Sequence, residues 1–127
     1  MESNNEVIQI SETKKVIKVK RAMIDDSNFE DVSAKNLKIT NANLSDLEIE
    51  GAQLGGAYIH NIGMPPKGHP FYDRDAKQRP LKFEDCELSG STVTNCNLAY
   101  VSIANCNLKG MTINGIPVED LLNANHK

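Results

Sequence analysis

The stretch NCNLAYVSIANCNLKG, residues 95–110, states Asn-Cys-Asn-Leu twice, ten residues apart. Ten residues before the first copy stands DCELSG, residues 85–90. Cys86, Cys96 and Cys106 each sit two places before a leucine or isoleucine position of a longer pattern, and the spacing of that pattern is five. Counting in fives, Ile24, Phe29, Ala34, Ile39, Leu44, Ile49, Leu54, Ile59 and Met64 are all apolar. So are Phe83, Leu88, Val93, Leu98, Ile103, Leu108, Ile113 and Val118. In a chain that is 39% hydrophobic, seventeen such positions in a row arise by chance on the order of 10⁻⁷ of the time. We call this column the centre. Neither the helical period of 3.6 nor the strand period of 2 produces it.

Two further columns define the unit. Two residues before each centre the side chain is apolar or a small serine, as in Ala42, Leu47, Ala52, Ser91, Val101 and the three cysteines. Two residues after each centre stand Asp26, Asp31, Asn36, Asn41, Asp46, Gly51, Gly56 and Asn61, then Asp85, Gly90, Asn95, Tyr100, Asn105, Gly110 and Gly115. Gly, Asn and Asp tolerate positive φ, which a type II turn needs at its second central residue; Tyr100 is the exception. Each unit therefore reads as a short extended piece followed by a tight turn. The centre and the residue two before it point to the same side.

Four units, about twenty residues, can close one square coil, and coils can stack at the strand spacing of about 4.8 Å. NANLSD (41–46), NCNLAY (95–100) and NCNLKG (105–110) carry a pattern that resembles the pentapeptide repeat family, whose consensus is roughly Ala-(Asp/Asn)-Leu-X-X. The resemblance covers residues 22–64 and 81–118. It implies an all-β fold, a right-handed quadrilateral parallel β-helix, a solenoid of about 4–5 coils. Its core ladder is expected to be Ile24, Phe29, Ile39, Leu44, Ile49, Leu54, Ile59, Phe83, Leu88, Val93, Leu98, Ile103, Leu108 and Ile113. The cysteines are expected inside as small hydrophobes. Leu37, Leu47, Ile62, Leu81 and Met111 depart from the family by being large where it prefers a small residue.

One domain over residues 1–127 is expected, in five parts. Residues 1–21 form an N-terminal strand or cap, where VIQI and KKVIKVKR alternate and Ile17 and Val19 fit the register. Residues 22–64 and 81–118 are the two repeat blocks, and 119–127 form a short helical cap with Leu121 and Leu122 over the last coil. Residues 65–80, PPKGHPFYDRDAKQRP, break the repeat. Four prolines and Gly68 read as an inserted loop. Two readings stand for it: a loop folded against the coil with Phe71 tucked in, or a partner-binding loop using His69, Phe71, Tyr72 and Arg74.

Composition limits function. The net charge of −3 does not favour direct binding of nucleic acid. No apolar run spans a membrane, and MESNNEVIQI lacks a signal-peptide layout. Three cysteines do not suggest a secreted disulfide framework, so the chain reads as cytoplasmic and bacterial. No phosphate loop, nucleophile elbow or His-x-x-x-His pair occurs, and His60, His69 and His126 are scattered, so neither enzyme nor cofactor is expected. His60 is expected to be an exposed wall residue. If the loop is a pure insertion, Glu30, Glu50 and Glu84, each following a centre, stack up one corner with Asp31, Glu48 and Asp85 beside them, either splayed apart and screened by salt or as an acidic stripe that binds a basic partner surface or a cation. The expected function is a non-enzymatic scaffold for protein–protein interaction with an unknown protein partner. A homodimer through a coil end is a further expectation. The alternative comes from the resemblance: some pentapeptide repeat proteins modulate DNA gyrase and other topoisomerases as acidic mimics of duplex DNA.

Overall fold

A computed structural model describes residues 6–124. The chain divides into two units, Met1–Ala57 and Tyr58–Lys127. In both, the turn column behaves as its residue types require. All fifteen positions from Asp26 to Gly115 take positive φ, between 53° and 80°. Tyr100 does so at 66° although its side chain resists that region. Arg21, at 51°, extends the register one unit upstream, where Val19 is the centre and Ile17 stands two before it. An arginine carries no compositional sign of positive φ, so this turn was invisible in the residue types.

The turns alternate between two kinds, and the true period is therefore ten. After Ala34, Leu44 and Leu54 the N–H three residues on donates to the centre carbonyl, at 2.8–3.2 Å. The same bond follows Leu88, Leu98 and Leu108, at 3.0–3.1 Å. After the intervening centres Phe29, Ile39, Ile49, Phe83, Val93 and Ile103 the chain bends without that bond. The cysteines follow this alternation. Each thiol donates across an open bend to the carbonyl two residues back: Cys86 to Glu84 at 3.3 Å, Cys96 to Thr94 at 3.3 Å and Cys106 to Ala104 at 3.2 Å. Their ten-residue recurrence marks the open bends.

The expected β-helix is not formed. Among the described residues the only strands are β1 (Thr112–Ile113) and β2 (Ile116–Pro117), and they pair antiparallel. Long-range contacts are few. The ladder side chains do not meet in an interior: Leu108 is half-buried, and the other thirteen are exposed, from 47% for Leu44 to 68% for Ile59 and Val93. The cysteines are exposed as well, and are free thiols. The terms solenoid and β-helix thus do not describe this chain. Outside the C-terminal hairpin and helix, the backbone hydrogen bonds that form among the described residues lie within turns, and none joins one coil to the next. A five-residue period sets where the chain deflects and which side chains share a side, but it does not bring successive coils to strand spacing. Leu37 and Leu47 also stand in the column where a narrow coil has room only for a small side chain. The accessible area is 14227 Å². A compact protein of this mass exposes about 6,700 Å².

Regular packing occurs at the C-terminal end of the second unit. Asn114 and Gly115 both have positive φ, 50° and 80°, as a two-residue type I′ hairpin requires. The hairpin sets Ile113 opposite Ile116. Pro117 then leads into α1, Val118–Ala124. Glu119 and Asp120 lie in its first turn, where carboxylates suit the positive end of the helix dipole. The Val118 N–H donates to the Met111 carbonyl at 2.9 Å, and Val118 is the one buried hydrophobic residue among those described, at 6% exposure. The expected short helix exists, but it does not cap a coil. Leu121 and Leu122 are exposed, and α1 packs against β2 instead. His126 and the end of the expected cap lie outside the described residues.

Candidate interaction surfaces

In the first unit, residues 28–32 with Glu48, Glu50, Gly51 and Ala52 line one cavity of about 540 Å³. The two segments are twenty residues apart in sequence. Glu30, Asp31, Glu48 and Glu50 supply four carboxylates to the lining, and Phe29, Val32 and Ala52 supply its apolar part. No lysine or arginine lines it. Glu30 and Glu50, expected to stack at one corner, share this lining with Asp31 and Glu48, but the coil that would stack them is not formed. Glu84 belongs to the second unit, where its carboxylate lies 3.7 Å from the Lys82 ammonium. Both side chains of that pair are largely exposed, so water screens it and it adds little. A second cavity of the first unit is lined by residues 6–11 and 23–30. It places the N-terminal segment beside the first turns; that segment forms no strand among the described residues.

The inserted loop is a string of local turns. The N–H groups of His69, Tyr72 and Ala76 donate to the carbonyls of Pro66, His69 and Asp73 at 2.9–3.1 Å. Two side chains reinforce them: His69 Nδ1 accepts from the Phe71 N–H at 3.0 Å, and Asp73 Oδ1 accepts from the Asp75 N–H at 2.9 Å. These two side chains offer acceptors two residues ahead of a donor, which is why they suit turns. The rings of His69 and Phe71 are tilted at 5.7 Å. Phe71 is 80% exposed, so it does not anchor the loop by tucking in. Tyr72 is exposed, and Arg74 contacts its neighbour Asp75 at 3.9 Å. His60 is exposed, as is its neighbouring centre Ile59, and its ring stacks on Tyr58 with centroids 3.9 Å apart.

The second block carries a feature that the columns did not announce. Before each hydrogen-bonded turn the residue preceding the centre accepts from the N–H following it. Glu87 serves Ser89, Asn97 serves Ala99 and Asn107 serves Lys109, at 3.0–3.1 Å. Glu87 also accepts the Ser89 hydroxyl. That hydroxyl first, and the Ser89 N–H second, hold the Glu87 carboxyl below the usual carboxylate range. The signal was present in the sequence as Glu87, Asn97 and Asn107, each just before a Leu, but only the alternation of turns gives it a role.

No three His, Cys, Asp or Glu side chains among the described residues are placed to hold a metal ion. No helix among them is long and apolar enough to cross a membrane. No protein-family model, curated protein or solved structure matches the chain.

Proposed function

We propose that this chain is a non-enzymatic pentapeptide repeat protein, acting in the cytoplasm as a scaffold for protein–protein interaction. The observation that carries the reading is the row of apolar centres, spaced by five and, apart from Leu108 and Val118, left exposed in both blocks. Repeated apolar exposure on this scale is characteristic of a binding surface. A fixed turn frame presents these side chains at regular intervals, so a partner meets a periodic surface. The test is capture of a protein from the native host by the immobilised chain. Capture should be lost when Ile39 and Ile49 are both changed to Lys, and kept when the exposed Thr92 is changed to Ser. Equal capture by all three chains would remove the reading.

A second reading is favoured by one observation, the cavity with four carboxylates and no cation in its lining. In it the chain modulates DNA gyrase or another topoisomerase by presenting acidic groups in place of phosphates. A supercoiling assay decides it. Inhibition should appear with the native chain and fall when Glu30 and Glu50 are changed to Gln.

A further inference from the structure

We propose that Asn114 is a deamidation site that the C-terminal hairpin keeps closed, and that its conversion to isoaspartate stops the hairpin from reforming. Asn114-Gly115 is the one Asn-Gly step of the chain; every other asparagine is followed by a residue that carries a side chain. A backbone amide nitrogen attacks the side-chain carbonyl carbon of the asparagine before it. A side chain on the attacking residue obstructs the approach, and glycine has none. Gly115 also has open surroundings: nothing lies within 4 Å of a Cβ built on it, and both residues are exposed. Asn36, Asn41, Asn61, Asn95 and Asn105 share the positive φ of Asn114 but precede Leu, Ala, Ile or Cys, so they are controls within the same chain.

The Gly115 nitrogen forms a bond to the Asn114 Cγ and gives up its proton, the Cγ–Nδ2 bond breaks, and ammonia leaves with that proton. Water then opens the cyclic imide. Opening at the side-chain carbonyl gives an aspartyl residue with the backbone restored. Opening at the backbone carbonyl gives isoaspartate, in which the chain runs through the former side chain. Water is the only co-reactant.

The closed turn withholds this step. The φ values of 50° at Asn114 and 80° at Gly115 are those of a type I′ turn, whose first central residue has ψ of about +30°. That ψ sets the Gly115 nitrogen nearly opposite the Asn114 Cβ across the Cα–C bond, whereas ring closure needs the two on the same side. The hairpin must therefore open first. Its pairs are Ile113 with Ile116 and Thr112 with Pro117, and Pro117 donates no N–H. So short an element opens locally at less than the cost of global unfolding. Isoaspartate adds a carbon to the backbone of a turn that fits two residues of fixed φ, so Ile113 and Ile116 lose their register. The loss reaches Val118, whose side chain is buried and whose N–H donates to the Met111 carbonyl at 2.9 Å. The packed end of the second unit thus carries an irreversible record of its own opening.

The test uses the full chain, incubated folded and in urea at one mildly alkaline pH. Peptide mapping by mass spectrometry follows the loss of each asparagine amide. In urea Asn114 should react ahead of the control asparagines. Urea should speed its reaction about tenfold or more, the factor that an opening cost of some 1.4 kcal/mol produces. The isoaspartyl fraction of aged chain, returned to buffer, should exchange the Val118 amide faster than fresh chain. Asn114→Asp, with the same charge and an unextended backbone, should keep the native protection. An Asn114 that reacts no faster than the controls in urea overturns the site. Equal rates in the folded chain and in urea overturn the guarding role of the hairpin. Native protection of Val118 in the isoaspartyl form, or its loss in Asn114→Asp as well, overturns the claim that the longer backbone keeps the hairpin open.

Discussion

The two repeat blocks share one frame and support it differently. In the first, Asn43 is the only residue before a hydrogen-bonded centre whose side chain accepts from the following N–H, among the described residues. Ser33 and Gln53 hold the equivalent places without doing so. In the second block Glu87, Asn97 and Asn107 all do. Its open bends are also bridged by thiols. Charge runs the other way: the first block carries −5, and the second, residues 81–118, carries −1. The same turn frame stands beneath an acidic surface in one block and a nearly neutral one in the other, with side-chain support in the second block that the first largely lacks. Surface chemistry and backbone geometry are therefore separable in this repeat.

The largest effect expected is on the frame itself. Gly56→Val in the first block and Gly110→Val in the second place a β-branched residue at φ of 80° and 76°. Each should cost about 1–2 kcal/mol, read as a lower melting midpoint. Nothing lies within 4 Å of a Cβ added at either glycine, so the cost is conformational rather than steric crowding by neighbours. Similar losses in the two blocks would show a common frame; a loss confined to one block would break the comparison.

Next comes the local support. Asn97→Ala with Asn107→Ala removes two side-chain acceptors from the second block, each worth about 0.5–1.5 kcal/mol. Amide hydrogen exchange should speed at Ala99 and Lys109. The matching change in the first block, Gln53→Ala, should leave exchange at Gly55 unaltered, since Gln53 supports no such bond.

Tyr100→Asn should stabilise the second block by about 1 kcal/mol, because Asn accepts positive φ more readily than Tyr. The Tyr100 side chain is fully exposed, so little packing is lost. An unchanged or lower melting midpoint would mean that Tyr100 has a role beyond the turn.

The smallest effect is that of acid. The folded-state pKa of Glu87 is depressed by the Ser89 hydroxyl and N–H. Its contribution is fully present above the unfolded value, about 4.3, and is lost as pH falls through the lower folded value. Glu87→Gln should flatten the melting midpoint of the second block across that acid window. First-block variants should leave the window unchanged.

Much of the backbone was readable from residue types. Gly, Asn and Asp two after each centre announce positive φ, and even Tyr100 obeys the register that its neighbours set. The alternation of bonded and open turns was not readable, because both kinds use the same residue types: Asn36 closes a bonded turn and Asn41 an open one. The cysteines at ten-residue spacing were its one visible trace. Burial was misread for a physical reason. A period places Leu98 and Val93 on one side of the chain, but whether that side is covered depends on how closely distant segments approach, which no local pattern contains. Of the candidate sites, Glu30 and Glu50 line one cavity, but the coil corner on which a spacing of twenty was expected to stack them is not formed. The exposure of Phe71 was not readable either, since an aromatic residue in a loop packs or projects according to surroundings that lie outside its own stretch.

The inserted loop has a parity. Leu54 closes a bonded turn, the Ile59 unit bends open, and the next bonded place falls at Met64. There the chain departs for fourteen extra residues. It resumes at Phe83 with an open bend, the kind that belongs after a bonded one. The insertion thus occupies one slot of the alternation without changing the reading frame of anything downstream. Such a slot behaves like a cassette site: what matters to the rest of the chain is where the guest sequence begins and ends in the count, not its length or its chemistry. Foreign peptides placed between Met64 and Leu81 are therefore a route to new loops on an unaltered repeat.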